Sequence, residues 1–249
     1  MPQEISKSPD RIERMFDAIA GRYDLLNHVL SAGIDRRWRQ RAVRALELSG
    51  RELVLDLCTG TGDLAIASAS AQPGAARVVG VDFAGAMLRV GREKLRRAQL
   101  DGRIHLVRGD ATCIPIGDRT VDAVTIAFGI RNVHDVAAAC GEMARVLRPG
   151  GRLAILEFAV PQLPVIGPAY LWYLHRVLPR IGRAISGSRE AYGYLSASID
   201  AFASPADLVK ILQQSGFEAI STVRLTVGSV CLYTGLKVDF QRDSGFTNP

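Results

Sequence analysis

The chain has 249 residues, of which 48% are hydrophobic and 22% charged, and its formal net charge is +6. This composition excludes a disordered or fibrous chain and predicts one α/β domain over residues 1–249. The positive charge leaves nucleic acid, an anionic membrane surface and no specific partner open.

Processing and metal signals are missing from the sequence. The N-terminus has no signal-peptide core, and no apolar run reaches the ~18 residues that a membrane-spanning helix needs. The four cysteines lie far apart, and neither they nor the four histidines have metal-ligand spacing. We therefore expect a cytoplasmic protein without a metal.

Helices and strands follow in a regular order. Residues 1–10 are predicted to be a tail, and residues 11–48 to form N-terminal helices with a break at Ser31–Gly33. Short apolar runs then indicate buried strands. The predicted strands are Glu52–Cys58, Arg77–Asp82, Ile104–Gly109, Val121–Phe128 and Arg152–Glu157. The helices between them are predicted at Asp63–Ala71, Ala86–Leu100 and Val136–Leu147.

The second half of the chain carries an insertion. Residues 158–203 hold four prolines and an aromatic cluster, which predicts a helical insertion over the active site. Ser204 and Pro205 then begin a helix as N-cap and first helical residue, and the helix ends at Gly216. Glu218–Leu225 and Ser229–Leu236 are predicted to form an antiparallel pair, and residues 238–249 a flexible tail. The fold class is thus α/β, a Rossmann-like doubly wound sheet, mostly parallel with an antiparallel last strand.

A glycine-rich turn follows the first predicted strand. Gly60 and Gly62 lie between this strand and a helix, which is the place where a nucleoside cofactor approaches the backbone. Asp82 ends the second strand twenty residues after Gly62, where a carboxylate binds ribose hydroxyls. Proteins that bind NAD and those that bind S-adenosylmethionine (SAM) share this pattern.

Charge distinguishes the two cofactors. Asp56 and Asp63 bracket the turn, and two carboxylates would repel the pyrophosphate of NAD. SAM has no phosphate and carries an ammonium and a sulfonium, which favour nearby acid. Asp110 and Ala111 follow the third strand, where in SAM enzymes an acid accepts from the adenine amino group and the next N–H donates to the ring. We therefore predict SAM and keep an NAD-binding oxidoreductase as the alternative.

Several longer stretches carry a resemblance to one family. They are Tyr23–Ser31 with Trp38, Phe128–Val133, Arg145–Leu153 with Glu157, and Tyr192, Tyr194, Leu195, Ser198 and Ile199. Together they resemble the ubiquinone/menaquinone biosynthesis C-methyltransferases, class I SAM-dependent enzymes, over roughly Met15 to Leu236. The resemblance implies methyl transfer from SAM to a ring carbon of a polyprenylated quinol.

The resemblance also implies cofactor contacts. Thr61, Asp82, Asp110 and Ala111 match positions that contact SAM in this family. One residue departs from the pattern, because Ala127 stands where many members carry Ser, so a hydroxyl contact to SAM is missing or the backbone alone serves. Tyr23 is predicted to close over SAM or the quinol, as are Tyr192 and Tyr194.

Three residues after the fourth strand are candidates for catalysis. Arg131 and Asn132 follow the strand at the edge of the sheet where ligands bind, and we expect Arg131 to stabilise a phenolate and Asn132 to orient the ring. His134 is a candidate base, because histidine is the side chain that most often transfers protons in catalysis.

The acceptor and the partners leave alternatives. Demethylmenaquinol is favoured, with a methoxy-polyprenyl benzoquinol as the second acceptor. The chain lacks the RNA-binding module that an RNA methyltransferase would need, so no nucleic acid is expected. A SAM-binding protein without activity and a homo-oligomer stay open. Arg176, Arg180 and Arg183 form a basic amphipathic stretch, broken at Pro179, which predicts peripheral contact with anionic lipid at the inner face of the membrane.

Overall fold

One sheet organises the chain. The computed structural model describes residues 8–71, 77–180 and 190–238. The strands within them are β1 (Leu53–Leu57), β2 (Arg77–Asp82), β3 (Ile104–Arg108), β4 (Val121–Ala127), β5 (Leu147–Phe158), β6 (Phe217–Leu225) and β7 (Val230–Lys237). Their order is β3-β2-β1-β4-β5-β7-β6, and among these strands β7 runs opposite to the other six. The predicted doubly wound sheet with an antiparallel last strand is confirmed.

Helices cover both faces and one edge of this sheet. They are α1 (Pro9–Ile19), α2 (Tyr23–Leu30), α3 (Asp35–Ala45), α4 (Asp63–Ala69), α5 (Gly85–Arg97), α6 (Val136–Val146), α7 (Ile166–Trp172), α8 (Glu190–Asp200) and α9 (Pro205–Gln214). The Ser204 side chain accepts from the Asp207 N–H and Pro205 is the first helical residue, so the predicted helix start is confirmed. In the part of the chain described, no helix combines the length and the apolar character needed to cross a bilayer.

Two segments differ from the prediction. β5 begins at Leu147 rather than Arg152, because Leu147 already pairs with Val121 and the ladder resumes at Arg152 after a register shift. The expected turn between them is thus a bulge within the strand. The break expected at Pro179 is also wrong, since residues 178–180 stay helical. A wider π turn at Tyr173–Val177 comes directly before, and such a turn makes room for a proline ring.

Three apolar clusters fix the layers. One joins α6 and α9 to one face of the sheet, and a second joins α3 and α4 to the other. The third lies beyond the sheet, where α1 and α2 pack against the insertion through residues that include Ile12, Leu26, Leu174 and Ile199. The N-terminal helices and the insertion therefore together cover the carboxyl edge of the parallel strands.

Candidate active site

The site lies where β1 and β4 end side by side. The connection from β1 leads to one side of the sheet and the connection from β4 to the other, so a crevice forms between them. Cys58 and Phe128, which follow β1 and β4, both adopt left-handed backbone with φ of 52° and 57°. A Cβ on Gly129 would lie 2.4 Å from the Cβ of Cys58, so only glycine permits this approach. Strained backbone of this kind concentrates at functional sites.

Asp56 supports the turn from beneath. Its carboxylate accepts hydrogen bonds from the Thr59 hydroxyl at 2.6 Å and the Thr125 hydroxyl at 2.8 Å. It also accepts from the backbone N–H of Ala65 in the first turn of α4, and burial raises its pKa to about 6. The Asp56 side chain therefore holds the helix start in place and does not line a cavity.

Asp63 is likewise engaged, by cations. Its carboxylate lies 2.5 Å from the Lys94 ammonium and 3.3 Å from the Arg39 guanidinium. Lys94 also contacts Asp24 of α2 at 2.6 Å, and the Thr61 hydroxyl donates to Asp24. Asp56 and Asp63 thus bracket the turn, and each carboxylate already has partners within the protein. Thr61 and Gly62 shape the turn from outside the cavity wall.

Asp82 is the buried carboxylate that does face the crevice. It accepts from the backbone N–H of Gly60 at 2.8 Å and of Ala84 at 2.9 Å. Burial raises the pKa of Asp82 to about 6, although these N–H groups oppose the shift. The same cavity is lined by Asp110, Ala111 and Ala127.

This first cavity has a wall chemistry that fits SAM. Asp82 offers a carboxylate to ribose hydroxyls, and Phe83, Met87 and Val133 offer apolar surface to a base. The buried amide oxygen of Asn132, which also lines the cavity, has no hydrogen-bond partner among the described residues. Acceptors and carboxylates suit a cationic cofactor whose amino and hydroxyl groups donate.

A second cavity of about 300 Å³ lies directly beside the first. Three aromatic residues, Phe16, Tyr23 and Phe128, line both and form the partition between them. The rest of the second wall is mainly aliphatic and aromatic and comes from α1, α2, α3 and the insertion; it includes Leu26, Leu30, Ile34, Trp38, Phe158, Ile166, Tyr170, Tyr173, Tyr194 and Leu195. Burial raises the pKa of Tyr23.

Arg131 lies on the second cavity in a fixed position. Its Nη1 donates to Glu157 at 2.8 Å and to the Phe128 carbonyl, and its Nε donates to the Ser198 hydroxyl at 3.4 Å. The guanidinium carbon lies 5.2 Å from the centre of the Phe158 ring. Glu157 has no exposed surface, so this is a buried ion pair.

The predicted site residues divide between the two cavities. Gly60, Asp82, Asp110, Ala111, Ala127 and Tyr23 line the first, and of the three catalytic candidates Arg131 lines the second while Asn132 and His134 line the first. His134 is exposed at the rim. The side chains of Tyr192 and Arg183 lie outside the described residues. Sequence reasoning missed Lys94, Arg39 and the pairing of Glu157, because their partners are distant in the chain.

Comparison with known proteins identifies the family. Residues 4–237 match the model of the ubiE/COQ5 methyltransferase family. A ubiquinone/menaquinone biosynthesis C-methyltransferase of Syntrophotalea carbinolica is 48% identical over 90% of this chain and 92% of its own. A demethylmenaquinone methyltransferase of Lactiplantibacillus plantarum is 38% identical over 91% of this chain and 95% of its own.

The fold agrees with this result. A crystal structure from Methanococcus maripaludis, described as an S-adenosyl-L-methionine-dependent methyltransferase, matches with a TM-score of 0.64 over 90% of this chain and 94% of its own, at 21% identity. The predicted cofactor SAM and the predicted methyltransferase activity are confirmed, and the NAD-binding alternative is set aside. The chain belongs to the ubiE/COQ5 methyltransferase family.

Proposed function

We propose that this enzyme methylates a ring carbon of a polyprenylated quinol and converts demethylmenaquinol to menaquinol. The observation that carries the proposal is the second cavity, which is apolar, rich in aromatic side chains and separated from the SAM cavity by three rings. An aromatic head group with an isoprenoid tail fits such a wall. The names of the relatives support the same acceptor class.

The cofactor side has distinct proposed roles. Asp82 accepts from the ribose hydroxyls, Asp110 and the Ala111 N–H bind the adenine, and the Gly60 backbone admits the cofactor closely. We assign Asn132 to the same side, because the residue lines the first cavity and its buried amide oxygen has no hydrogen-bond partner among the described residues. His134 at the rim belongs there too. Asp56, Thr61 and Gly62 act through the shape of the turn.

On the acceptor side, the negative charge of a phenolate must be stabilised. When bound, SAM supplies an electrophilic methyl group on a sulfonium. A ring carbon becomes a sufficient nucleophile when a neighbouring hydroxyl of the reduced quinol releases its proton to water. The bond from this carbon to the methyl group would then form as the sulfur–methyl bond breaks, and the hydrogen on the carbon would leave as a proton to water when the ring becomes aromatic again. Arg131 and Arg39 both line the second cavity, but Arg39 is already paired with two carboxylates, Asp35 and Asp63. The hydrogen bonds of Arg131 to Glu157 and Ser198 use Nη1 and Nε. Its Nη2 edge is then the one available to the phenolate oxygen, already oriented before the acceptor binds.

The cavity has an opening that suits a tailed acceptor. Ile166 and Val227 line the cavity and are also 39% and 56% exposed, so they form its rim. Val165 beside them is 80% exposed. The segment from Phe158 to Arg189 contains no Asp or Glu but carries Arg176, Arg180, Arg183 and Arg189. An exposed apolar rim next to a purely basic segment is the chemistry that binds an anionic bilayer.

We therefore extend the proposal to peripheral contact with the inner face of the membrane, where the rim meets lipid and the tail of the acceptor passes through it. The protein would otherwise remain in the cytoplasm. A benzoquinol carrying the same tail is the second candidate acceptor, because the name of the Syntrophotalea carbinolica relative covers both quinone pathways.

The test is a methyl-transfer assay with SAM and chemically reduced demethylmenaquinol, run beside the methoxy-polyprenyl benzoquinol and beside the oxidised quinones. We expect product with the reduced naphthoquinol and none with either oxidised quinone. Transfer to neither quinol, by enzyme that binds SAM, would reject the proposed acceptor class.

A further inference from the structure

The phenol of Tyr194 is an unexplained polar group at the wall of the acceptor cavity, where the residue borders the cavity and neighbouring atoms cover its hydroxyl oxygen. Tyr194 is 6% exposed and lines the second cavity, and its hydroxyl oxygen is buried without a hydrogen-bond partner among the described residues. Buried hydroxyl groups are almost always hydrogen-bonded. A buried hydroxyl without a partner carries a desolvation free energy that no hydrogen bond compensates. A phenylalanine would fill the same space without this cost.

The position of Tyr194 on its helix directs it toward Arg131. Ser198, one turn later on α8, accepts from the Arg131 Nε at 3.4 Å. Residues four apart share a helix face, so Tyr194 lies on the face of α8 whose Ser198 contacts the guanidinium. The charge of Arg131 also acts on the phenols of Tyr194, Tyr170 and Tyr23.

The charge balance at this point calls for a neutral donor. Arg131 is already paired with the fully buried Glu157, so part of its charge is compensated before an acceptor oxygen arrives. A phenol donates a hydrogen bond without adding charge, and burial raises the pKa of Tyr194, which keeps the phenol protonated. Fixed donors aimed at developing negative charge are the groups that lower the barrier.

We propose that the Tyr194 hydroxyl, uncovered when the acceptor enters the cavity, donates a hydrogen bond to a ring oxygen of the quinol and, with Arg131, holds the developing phenolate. This inference rests on the proposed function, since it names a further residue of the same acceptor site. Tyr194 is then a catalytic residue supplied by the insertion, and the insertion contributes to the reaction itself as well as to the cover over it.

The test is Tyr194→Phe, with Tyr233→Phe as the matched control. Tyr233 is a phenol buried in the sheet, and it lines neither cavity. For Tyr194→Phe we expect kcat with the reduced quinol to fall about 10- to 100-fold. The SAM Kd should stay unchanged and the melting temperature should stay equal or rise, because an unpartnered hydroxyl is removed.

The pairing of these readouts separates catalysis from packing. Tyr233→Phe should keep wild-type kcat. Wild-type kcat in Tyr194→Phe, or a fall in kcat that is matched by a lowered melting temperature and weaker SAM binding, would overturn the inference. The wild-type assay is the separate check on the proposed function, since a wild-type enzyme inactive on both quinols rejects that function whatever the variant does.

Discussion

The Lys94 ammonium nitrogen lies 2.5 Å from a carboxylate oxygen of Asp63, the first residue of the helix after the glycine-rich turn. The same ammonium lies 2.6 Å from Asp24 of α2. One side chain of α5 therefore ties the cofactor turn to the N-terminal helix that carries Tyr23, and both cavities depend on that helix.

Lys94→Met should weaken SAM binding about 3- to 10-fold and lower the free energy of unfolding by about 1 kcal/mol, because two half-buried carboxylates lose their shared cation. Titration calorimetry with SAM and denaturant unfolding measure the two effects. Lys210→Met is the control, since Lys210 is exposed and lies 3.6 Å from Asp207 alone. An unchanged SAM Kd in Lys94→Met would show that the turn holds its shape without this tie.

SAM affinity should depend on pH through Asp82. Burial raises the pKa of Asp82 to about 6 in the folded protein, so the carboxyl is protonated below this pH and accepts ribose hydroxyls poorly. The SAM association constant should then fall about tenfold per pH unit below pH 6. Asp82→Asn should bind SAM about 10- to 100-fold more weakly at pH 7.5 and lose most of this pH dependence.

Asp56→Asn provides the comparison, because the pKa of Asp56 is also raised to about 6 but its carboxylate lines neither cavity. The pH dependence of SAM binding should persist in this variant.

The free energy of unfolding should change with pH in the opposite direction to SAM affinity. A raised carboxyl pKa favours the protonated folded state, so Asp82 and Asp56 make the protein lose stability as pH rises from about 4 to about 6. Affinity independent of pH between 5 and 7 would contradict the role of Asp82.

Arg131 requires a two-step test. Arg131→Ala leaves Glu157 buried without its cation, which should cost about 3–5 kcal/mol of the free energy of unfolding. Loss of turnover in that variant alone would therefore say little. The double variant Arg131→Met with Glu157→Met removes both charges and should regain stability while turnover stays at least 100-fold below wild type. Normal turnover in the stable double variant would exclude Arg131 from catalysis.

Val227 connects backbone strain to the proposed membrane contact. It is a β-branched residue with φ of 58°, a conformation that such residues rarely adopt, and its apolar side chain is 56% exposed. Val227→Asn should stabilise the fold by about 1 kcal/mol, since Asn tolerates this region. It should also reduce co-sedimentation with anionic vesicles and raise the KM for the long-tailed quinol.

Val107→Asn is the matched surface control, because Val107 is exposed on β3 at the opposite edge of the sheet. It should leave vesicle binding unchanged. Equal vesicle binding by wild type and Val227→Asn at low salt would reject the rim as a lipid contact.

Some of this architecture could be predicted from local sequence. The bounds of β2 at Arg77–Asp82 and the helix start at Ser204 follow from apolar runs and capping residues, which act within a few positions. The glycine turn and Asp82 were likewise readable, because strand, loop and helix are consecutive. Such features need no knowledge of what packs against them.

Other features depend on contacts between distant segments. The sequence presents Asp63 as an acid beside the cofactor turn, whereas the structure pairs it with Lys94 and Arg39, both far from it in the chain. Asp56 looked equivalent and instead binds two hydroxyls and a helix N-terminus. The start of β5 at Leu147 depends on a partner strand. The Tyr194 hydroxyl is recognised as unpartnered only when the positions of its neighbours in the fold are known.

The exposed rim at Ile166 and Val227 has a consequence for the tail lengths that the proposed acceptor can have. A closed pocket selects its ligands by length, because a longer molecule does not fit. Here the wall formed by the described residues ends in side chains that are already exposed, so an acceptor tail that extended past them would lie outside this wall. Discrimination then falls on the ring, beside Phe128 and Arg131. One such enzyme could serve quinols with tails of any length, and the length would be decided by the enzymes that build the tail.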